Sequence, residues 1–409
     1  MERFATGAWL TTGVVRSAAA VSLTLTTAAV LYGLAGRTGS FGTLDAAGDP
    51  LGTDFTMIWS AGRMALEGHA ASVYDLGLIG EAEKATHGTR AVPVFGWHYP
   101  PLFLLVAAPL ASVPYLVSLV LWQVASLGAA LAAAWRVLPS RDVLLGGLGF
   151  PAVFVCLAHG HNAFLTAALF TAGLLLLERR AILAGLLLGC LAYKPQFGLA
   201  LPLALAAGGY WRTMAGAAAS AVGLAALSLV LFGPEAWHAF FDTAAETRGL
   251  VVENGATGWY KIQSAFAWAR MLGASVTAAY LVQGAVTAAA TATTAWLWYA
   301  RAPFRLRAAC LLLASLLATP YLLDYDLVLL GPAILFMAAH GLEHSFRRWE
   351  ASALAFAWLV PIGARALAFF GHVPAGFLAT AILFVLAAGR AVRETAPRNP
   401  LGHAAAWSR

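Results

Sequence analysis

Apolar stretches broken by short polar turns run along nearly the whole of this 409-residue chain. The first covers about residues 18–34 and follows Arg3 and Arg16. Further runs fall near 114–135, 142–158, 162–177, 181–193, 195–209, 213–233, 274–299, 307–319, 321–340, 351–370 and 374–389. A helix needs about 20 apolar residues to cross a bilayer, so the pattern predicts an all-α polytopic membrane protein with about twelve transmembrane helices. The first run is long for the apolar region of a signal peptide and others follow it, which favours an uncleaved helix. The stretch Pro101–Ser112 is too brief to cross and reads as a re-entrant or partly inserted helix. Two long polar segments, about 36–98 and 234–273, interrupt the series, and residues 390–409 make a polar tail. Residues 1–409 are expected to form one integral membrane domain.

Composition agrees. The chain is 60% hydrophobic and 11% charged, with a mean hydropathy of +0.75, against about 25% charged residues in soluble domains. That excludes a soluble enzyme, a disordered chain and a disulfide scaffold. The net charge of +6 does not imply nucleic acid, because the basic residues sit mostly at the ends of apolar runs instead of clustering on a soluble face. Their positions set the orientation. With the N-terminus cytoplasmic, the short loops carrying Arg179-Arg180 and Arg347-Arg348 fall inside and most carboxylates fall outside. A full crossing by Pro101–Ser112 would force Arg136 and Arg141 outside, which supports the re-entrant reading. Both termini are then cytoplasmic, and the polar segments 36–98 and 234–273 face the outer side of the cytoplasmic membrane. Long ordered loops concentrate functional residues, so the chemistry is expected there. No cytoplasmic loop is long enough for a nucleotide-binding domain and no Walker-type loop is present; an activated substrate would arrive pre-energised, on a lipid. Cys156, Cys190 and Cys310 lie in apolar stretches and read as small buried residues. Neither a structural metal nor a cofactor is expected.

Few polar residues then stand without a bland role. Asp54 precedes Phe55, Ile58, Trp59 and Gly62, spaced as the apolar face of a surface helix. It would lie at or beside the N-cap, as a stabilising cap, as a catalytic carboxylate at the depth where a lipid phosphate meets water, or as both. Trp97 and Tyr99 suit the interfacial aromatic belt, and His98 is either a satisfied interfacial histidine or a phosphate contact. The turn His159-Gly160-His161-Asn162 joins two spans; it has residues that tight turns require anyway and lacks a third metal ligand. Lys194-Pro195-Gln196 puts a charge and a helix break within the membrane depth. Such a break is tolerated where it lines a cavity, and an intramembrane lysine is a functional candidate suited to phosphate, or else a snorkelling side chain. The Gly-rich stretch around Trp259 is either a sugar platform or a surface loop. Asp324 and Asp326 end the connection after Pro320, and Arg365 sits in an apolar run, to pair with a phosphate or to snorkel.

In order along the chain, Asp54-Phe55 with Trp59, Ala61 and Gly62, then Tyr74-Asp75, Tyr99-Pro100-Pro101, the turn at Gly160, Lys194-Pro195-Gln196, and Pro320 with Asp324-Tyr325-Asp326 resemble glycosyltransferase family 87, within the C-type membrane glycosyltransferases. The resemblance covers about residues 50–335. The turn departs from it, reading Gly160-His161 where Gly-Gln is expected. The resemblance implies a GT-C-type fold with extracytoplasmic loop helices. It also implies transfer of a hexose, typically mannose, from a polyprenyl-phosphate donor to a lipid or glycan acceptor outside the membrane. On this reading Asp54 is the base of an inverting displacement. Lys194, His161 and Arg365 hold the donor phosphate, and His98, Tyr99, Gln196, Asn162, Trp259 and Asp324 contact substrate. The partners are the lipid-linked donor, the acceptor and membrane lipids. The rival class is a secondary transporter or flippase of an anionic or lipid-linked substrate, which also uses broken helices and a buried lysine; the motif order shows no internal repeat of the kind expected there.

Overall fold

The computed structural model describes residues 1–39 and 41–395; residues 396–409 of the expected tail lie outside the described residues. The architecture is all-helical, with isolated bridges but no named strand among the described residues. A one-turn α1 (Glu2–Ala5) precedes α2 (Thr12–Ala35), which starts where the Thr11 side chain accepts from the Val14 N–H. The first polar segment folds as α3 (Thr53–Leu66) and α4 (Leu76–His87), then runs extended to Pro100. A turn at Pro101–Phe103 opens α5 (Leu104–Ala111), followed by α6 (Tyr115–Val137), α7 (Arg141–Leu148), α8 (Pro151–His159), α9 (Ala163–Leu176) and α10 (Ala181–Gly189). After the break at Lys194 come α11 (Ala200–Ala207), α12 (Trp211–Thr247), α13 (Ala265–Met271), α14 (Val276–Tyr299) and α15 (Phe304–Leu317). The chain ends with α16 (Leu330–His344), α17 (Glu350–Leu359), α18 (Ala364–Gly371) and α19 (Ala375–Thr395).

Among the described residues, five helical segments are long and apolar enough to cross a membrane: Thr12–Ala35, Tyr115–Val137, Trp211–Glu253, Asp324–His344 and Ala375–Thr395. The count reaches 7 if α7 with α8, bent by 51°, and α17 with the turn Val360–Ile362 and α18, bent by 73°, are each one broken span. The chain is therefore a multi-pass membrane protein. The difference from about twelve predicted spans has a local cause. The runs at 162–177, 181–193 and 195–209 form helices too short to span by length alone, and Pro101–Ala111 is shorter still, as its run predicted. Proline and glycine interrupt two others: Pro151 opens α8, and Gly363 separates the turn Val360–Ile362 from α18.

The core is built around α15, in which every residue from Leu306 to Leu317 is buried. A helix apolar on all sides must be enclosed, and α14, α16 and α19 pack against it. A second apolar cluster joins α3 to α5, α6 and the far end of α12. There Gly62 allows close approach: a Cβ at this position would lie 2.1 Å from the Ala107 carbonyl oxygen on α5. Gly62→Ala is expected to push α3 off α5 and to lower stability by about 1–3 kcal/mol, read as a drop in the thermal unfolding midpoint in detergent. An unchanged midpoint would refute this packing.

The second polar segment differs from its expectation in one respect. The run at 213–233 ends at Gly233-Pro234, yet α12 continues beyond a kink there to Thr247. Gly233 leaves the helical conformation at φ 79°, ψ 161°, and Pro234 opens a second helical segment beyond it. The continuation carries Phe240, Thr243 and Thr247 back over the first polar segment, where they face the cavity described next.

Candidate functional site

Asp54 occupies the second position of α3, after Gly52 in the left-handed conformation and Thr53. Gly52 makes no side-chain cap, and its carbonyl accepts from the Thr56 N–H at 3.0 Å. Asp54 is thus beside the cap, as its sequence position suggested, but is not spent on capping: its Oδ2 is buried and has no protein partner. Burial raises its pKa above the ordinary 3.8, opposed by His159, the Tyr325 hydroxyl and Lys194 and reinforced by Asp324.

The turn after α8 comes next. Gly160 adopts φ +65°, and a Cβ there would lie 2.6 Å from the Phe55 Cβ, so the turn sits directly against α3. Its two histidines point into separate hydrogen-bond sets. His159 Nδ1 lies 2.6 Å from Thr53 Oγ1, and its Nε2 lies 3.2 Å from Arg365 Nη2. A guanidinium only donates, so His159 Nε2 accepts and Nδ1–H donates to Thr53, the neighbour of Asp54. Arg365 also bonds Asp324 Oδ2 at 2.6 Å, leaving Asp324 Oδ1 buried and without a partner. His161 is buried, stacked on the Tyr325 ring at 3.5 Å between centroids, with Nε2 3.2 Å from Tyr99 Oη and 3.5 Å from Lys194 Nζ. Burial, then the Lys194 charge, push its pKa well down. An ammonium only donates, so Nε2 is the acceptor and the neutral ring keeps an unpartnered Nδ1–H.

Lys194 itself is buried and donates to Asp326 Oδ1 at 2.7 Å. It lies between two short turns, Cys190–Tyr193 and Pro195–Gly198, where Pro195 prevents one continuous helix. The carboxylate that compensates it comes from the turn opening α16, far away in sequence. Lys194, His161, Tyr99, Tyr193, Tyr325 and Asp326 share one cavity of about 280 Å³ with His98 and Gln196. Cationic and phenolic donors thus stand beside aromatic faces, an arrangement suited to a sugar phosphate. Asp54 is not on the lining but is close enough to Tyr99, Tyr321 and Tyr325, which are, for its charge to act on all three, and Met57, the next turn of α3, also lines the cavity.

The structure therefore brings together Asp54, His161, Lys194, Tyr99, His98 and Gln196, with the Asp324–Arg365 pair near Asp54. His98 donates Nε2–H to the Phe95 carbonyl at 3.2 Å, and its Nδ1 is buried without a partner. Asn162 lies within the turn with both side-chain polar atoms buried and unpartnered. Trp259 is not on the lining but donates to the carbonyl of Val252, which is, at 3.0 Å, under the Arg270 guanidinium at 4.6 Å. Sequence reasoning missed His159 and Asp326 as partners of the site, and Thr243 and Thr247 as lining residues. The segments holding the first two were visible, but their partners lie more than a hundred residues away. The threonines follow a Gly-Pro pair that reads as a helix end. No cluster of three metal-ligating side chains occurs among the described residues.

A family model described as glycosyltransferase family 87 matches residues 97–320, more than half of the chain. Lys194 and His161 fall within that stretch; Asp54 precedes it, and Asp324, Asp326 and Arg365 follow it. No curated protein and no solved structure matches the chain.

Proposed function

The chain belongs to glycosyltransferase family 87, and we propose that it transfers a hexose, mannose by the family resemblance, from a polyprenyl-phosphate donor to a lipid or glycan acceptor on the outer side of the cytoplasmic membrane. That it is a membrane glycosyltransferase follows from the family and the apolar helices. The donor, the inverting course and the base are this proposal's own. The observation that carries them is a carboxylate, Asp54, with a buried and unpartnered oxygen, whose charge acts on Tyr99, Tyr321 and Tyr325 in the lining of a cavity that also holds Lys194 and the neutral His161.

In this reading Asp54 Oδ2 takes the proton of the acceptor hydroxyl. The freed oxygen attacks the anomeric carbon as the bond to the phosphate oxygen breaks on the opposite face. The electron pair leaves with the polyprenyl phosphate, whose charge is met by the Lys194 ammonium, the His161 Nδ1–H and, less directly, Arg365. Phosphate is already a competent leaving group, so no general acid is required. Asp326 holds the ammonium in place, and the chain Arg365–His159–Thr53 holds the start of α3.

Two measurements test this. Purified protein in nanodiscs, given polyprenyl-phosphate mannose with a membrane lipid extract as acceptor, should release polyprenyl phosphate and should not use a nucleotide sugar; use of the nucleotide sugar alone would refute the donor assignment. The pH profile tests the base. Asp54 acts when ionised and its pKa is raised by burial, so kcat/KM should fall on acidification at a pH above the range of an ordinary carboxylate. A profile flat down to that ordinary range would contradict the role.

A further inference from the structure

Glu83 on α4 is wholly buried, at 0% exposure, yet it is neither on the cavity lining nor in the Asp54 cluster. Its two oxygens accept from consecutive backbone amides, Phe95 N–H at 2.8 Å and Gly96 N–H at 3.1 Å. Those amides begin the stretch Trp97-His98-Tyr99, all three of which line the cavity. Residues 91–100 belong to no helix, so no regular hydrogen-bond ladder fixes their path. Farther along the stretch, Tyr74 donates to the Tyr99 carbonyl at 2.9 Å. One turn along α4, on the same face, His87 is also 0% exposed and bonds Thr43 Oγ1 at 2.9 Å and Thr56 Oγ1 at 3.0 Å. Thr56 meets the Tyr115 hydroxyl at 3.1 Å, and that hydroxyl donates to the Leu51 carbonyl at 2.7 Å, just ahead of Asp54. A single buried face of α4 thus holds both the aromatic wall of the cavity and the start of the helix that carries the carboxylate.

We propose that Glu83 is a positioning residue for substrate: by gripping the Phe95 and Gly96 amides it sets the Trp97–Tyr99 wall against which the lipid-linked donor is seated. This rests on the cavity being the donor site. Burial pushes the Glu83 carboxyl up to about 7 even though the two amides, which favour the charged form, act to lower it. The wall meets the donor equally in ground and transition states, so loosening it raises KM more than it lowers kcat.

The test is Glu83→Gln in the full-length protein. The amide keeps one acceptor and turns a donor toward the second N–H. Donor KM should rise about tenfold, the effect of one lost charge-assisted bond, with kcat within about threefold of wild type. A role in stability alone would reduce the active fraction and hence kcat while leaving KM unchanged, and that outcome overturns the proposal. Hydrogen exchange, read without any substrate, should quicken at residues 95–99 and not within α6; unchanged exchange there overturns it as well. If Glu83→Gln does not yield folded protein, Glu83→Asp keeps the charge but shortens the reach and should show the same rise in KM, and an unchanged KM overturns the proposal. Absence of any transfer by wild type would refute the donor-site reading, whereas the exchange result would still judge the clamp.

Discussion

Asp54→Asn is expected to reduce transfer by at least about 100-fold while leaving expression, membrane insertion and donor binding intact. The magnitude is the usual contribution of a positioned general base. Several features of the site make the change specific. The amide is nearly the shape of the carboxylate, and Oδ2 has no protein partner to lose. The α3 start is held by backbone and by the His159–Thr53 bond, not by Asp54. Removing a charge whose pKa burial has raised also relieves a desolvation cost, so the variant should be no less stable than wild type. Activity and stability then move in different directions, which a merely structural aspartate would not show. Rates are compared at equal folded protein and saturating donor.

Lys194→Met should be the more damaging substitution to the molecule as a whole. Lys194 and Asp326 form a pair with both side chains 4% exposed, and deleting one member leaves the other as an uncompensated buried charge, at a cost of about 3–5 kcal/mol. Transfer should fall as well, by about 100- to 1,000-fold, because the leaving phosphate loses its nearest cation. These two effects separate in the double variant Lys194→Met with Asp326→Leu. Replacing a buried ion pair by apolar residues is often neutral or stabilising, so the double variant should recover most of the thermal midpoint and none of the transfer. Recovery of transfer along with stability would mean that Lys194 serves the fold alone. If stability stayed low in the double variant, the pair would not be the source of the cost.

Both predictions rest on side chains that differ in how far the sequence alone exposed them. The apolar runs located most of the helices, because burial in lipid leaves a length and composition signal that needs no partner. The number of crossings was less legible. Helices such as Ala163–Leu176 and Ala181–Gly189 are as apolar as any other, yet their length is set by breaks whose geometry depends on packing. Asp54 and Lys194 were visible as polar residues without a bland role, one at the expected start of an amphipathic helix and one at a Lys-Pro break between apolar runs. Their partners were not. Asp326 meets Lys194 across 132 positions, and His159 meets Arg365 across 206; local periodicity carries no information about such pairings. The helical segment beyond Gly233-Pro234 was hidden for another reason: that dipeptide reads as a turn and does break the helix, but the segment after it packs back on the first polar segment, with Phe240 5.9 Å from Tyr74 between rings. Trp259 is the converse case, an aromatic in a Gly-rich loop that drew notice by composition and lies behind the lining, bonded to the Val252 carbonyl under Arg270.

The central claim is that one carboxylate beside this cavity drives an in-line displacement on a lipid-linked sugar. Its most direct test is the anomeric configuration of the product, followed by NMR, in a reaction of purified wild-type protein with polyprenyl-phosphate mannose of known configuration. Inverted product, with one polyprenyl phosphate released per sugar transferred and neither formed by Asp54→Asn, is the predicted result. Retained configuration, or undiminished release by Asp54→Asn, would contradict it.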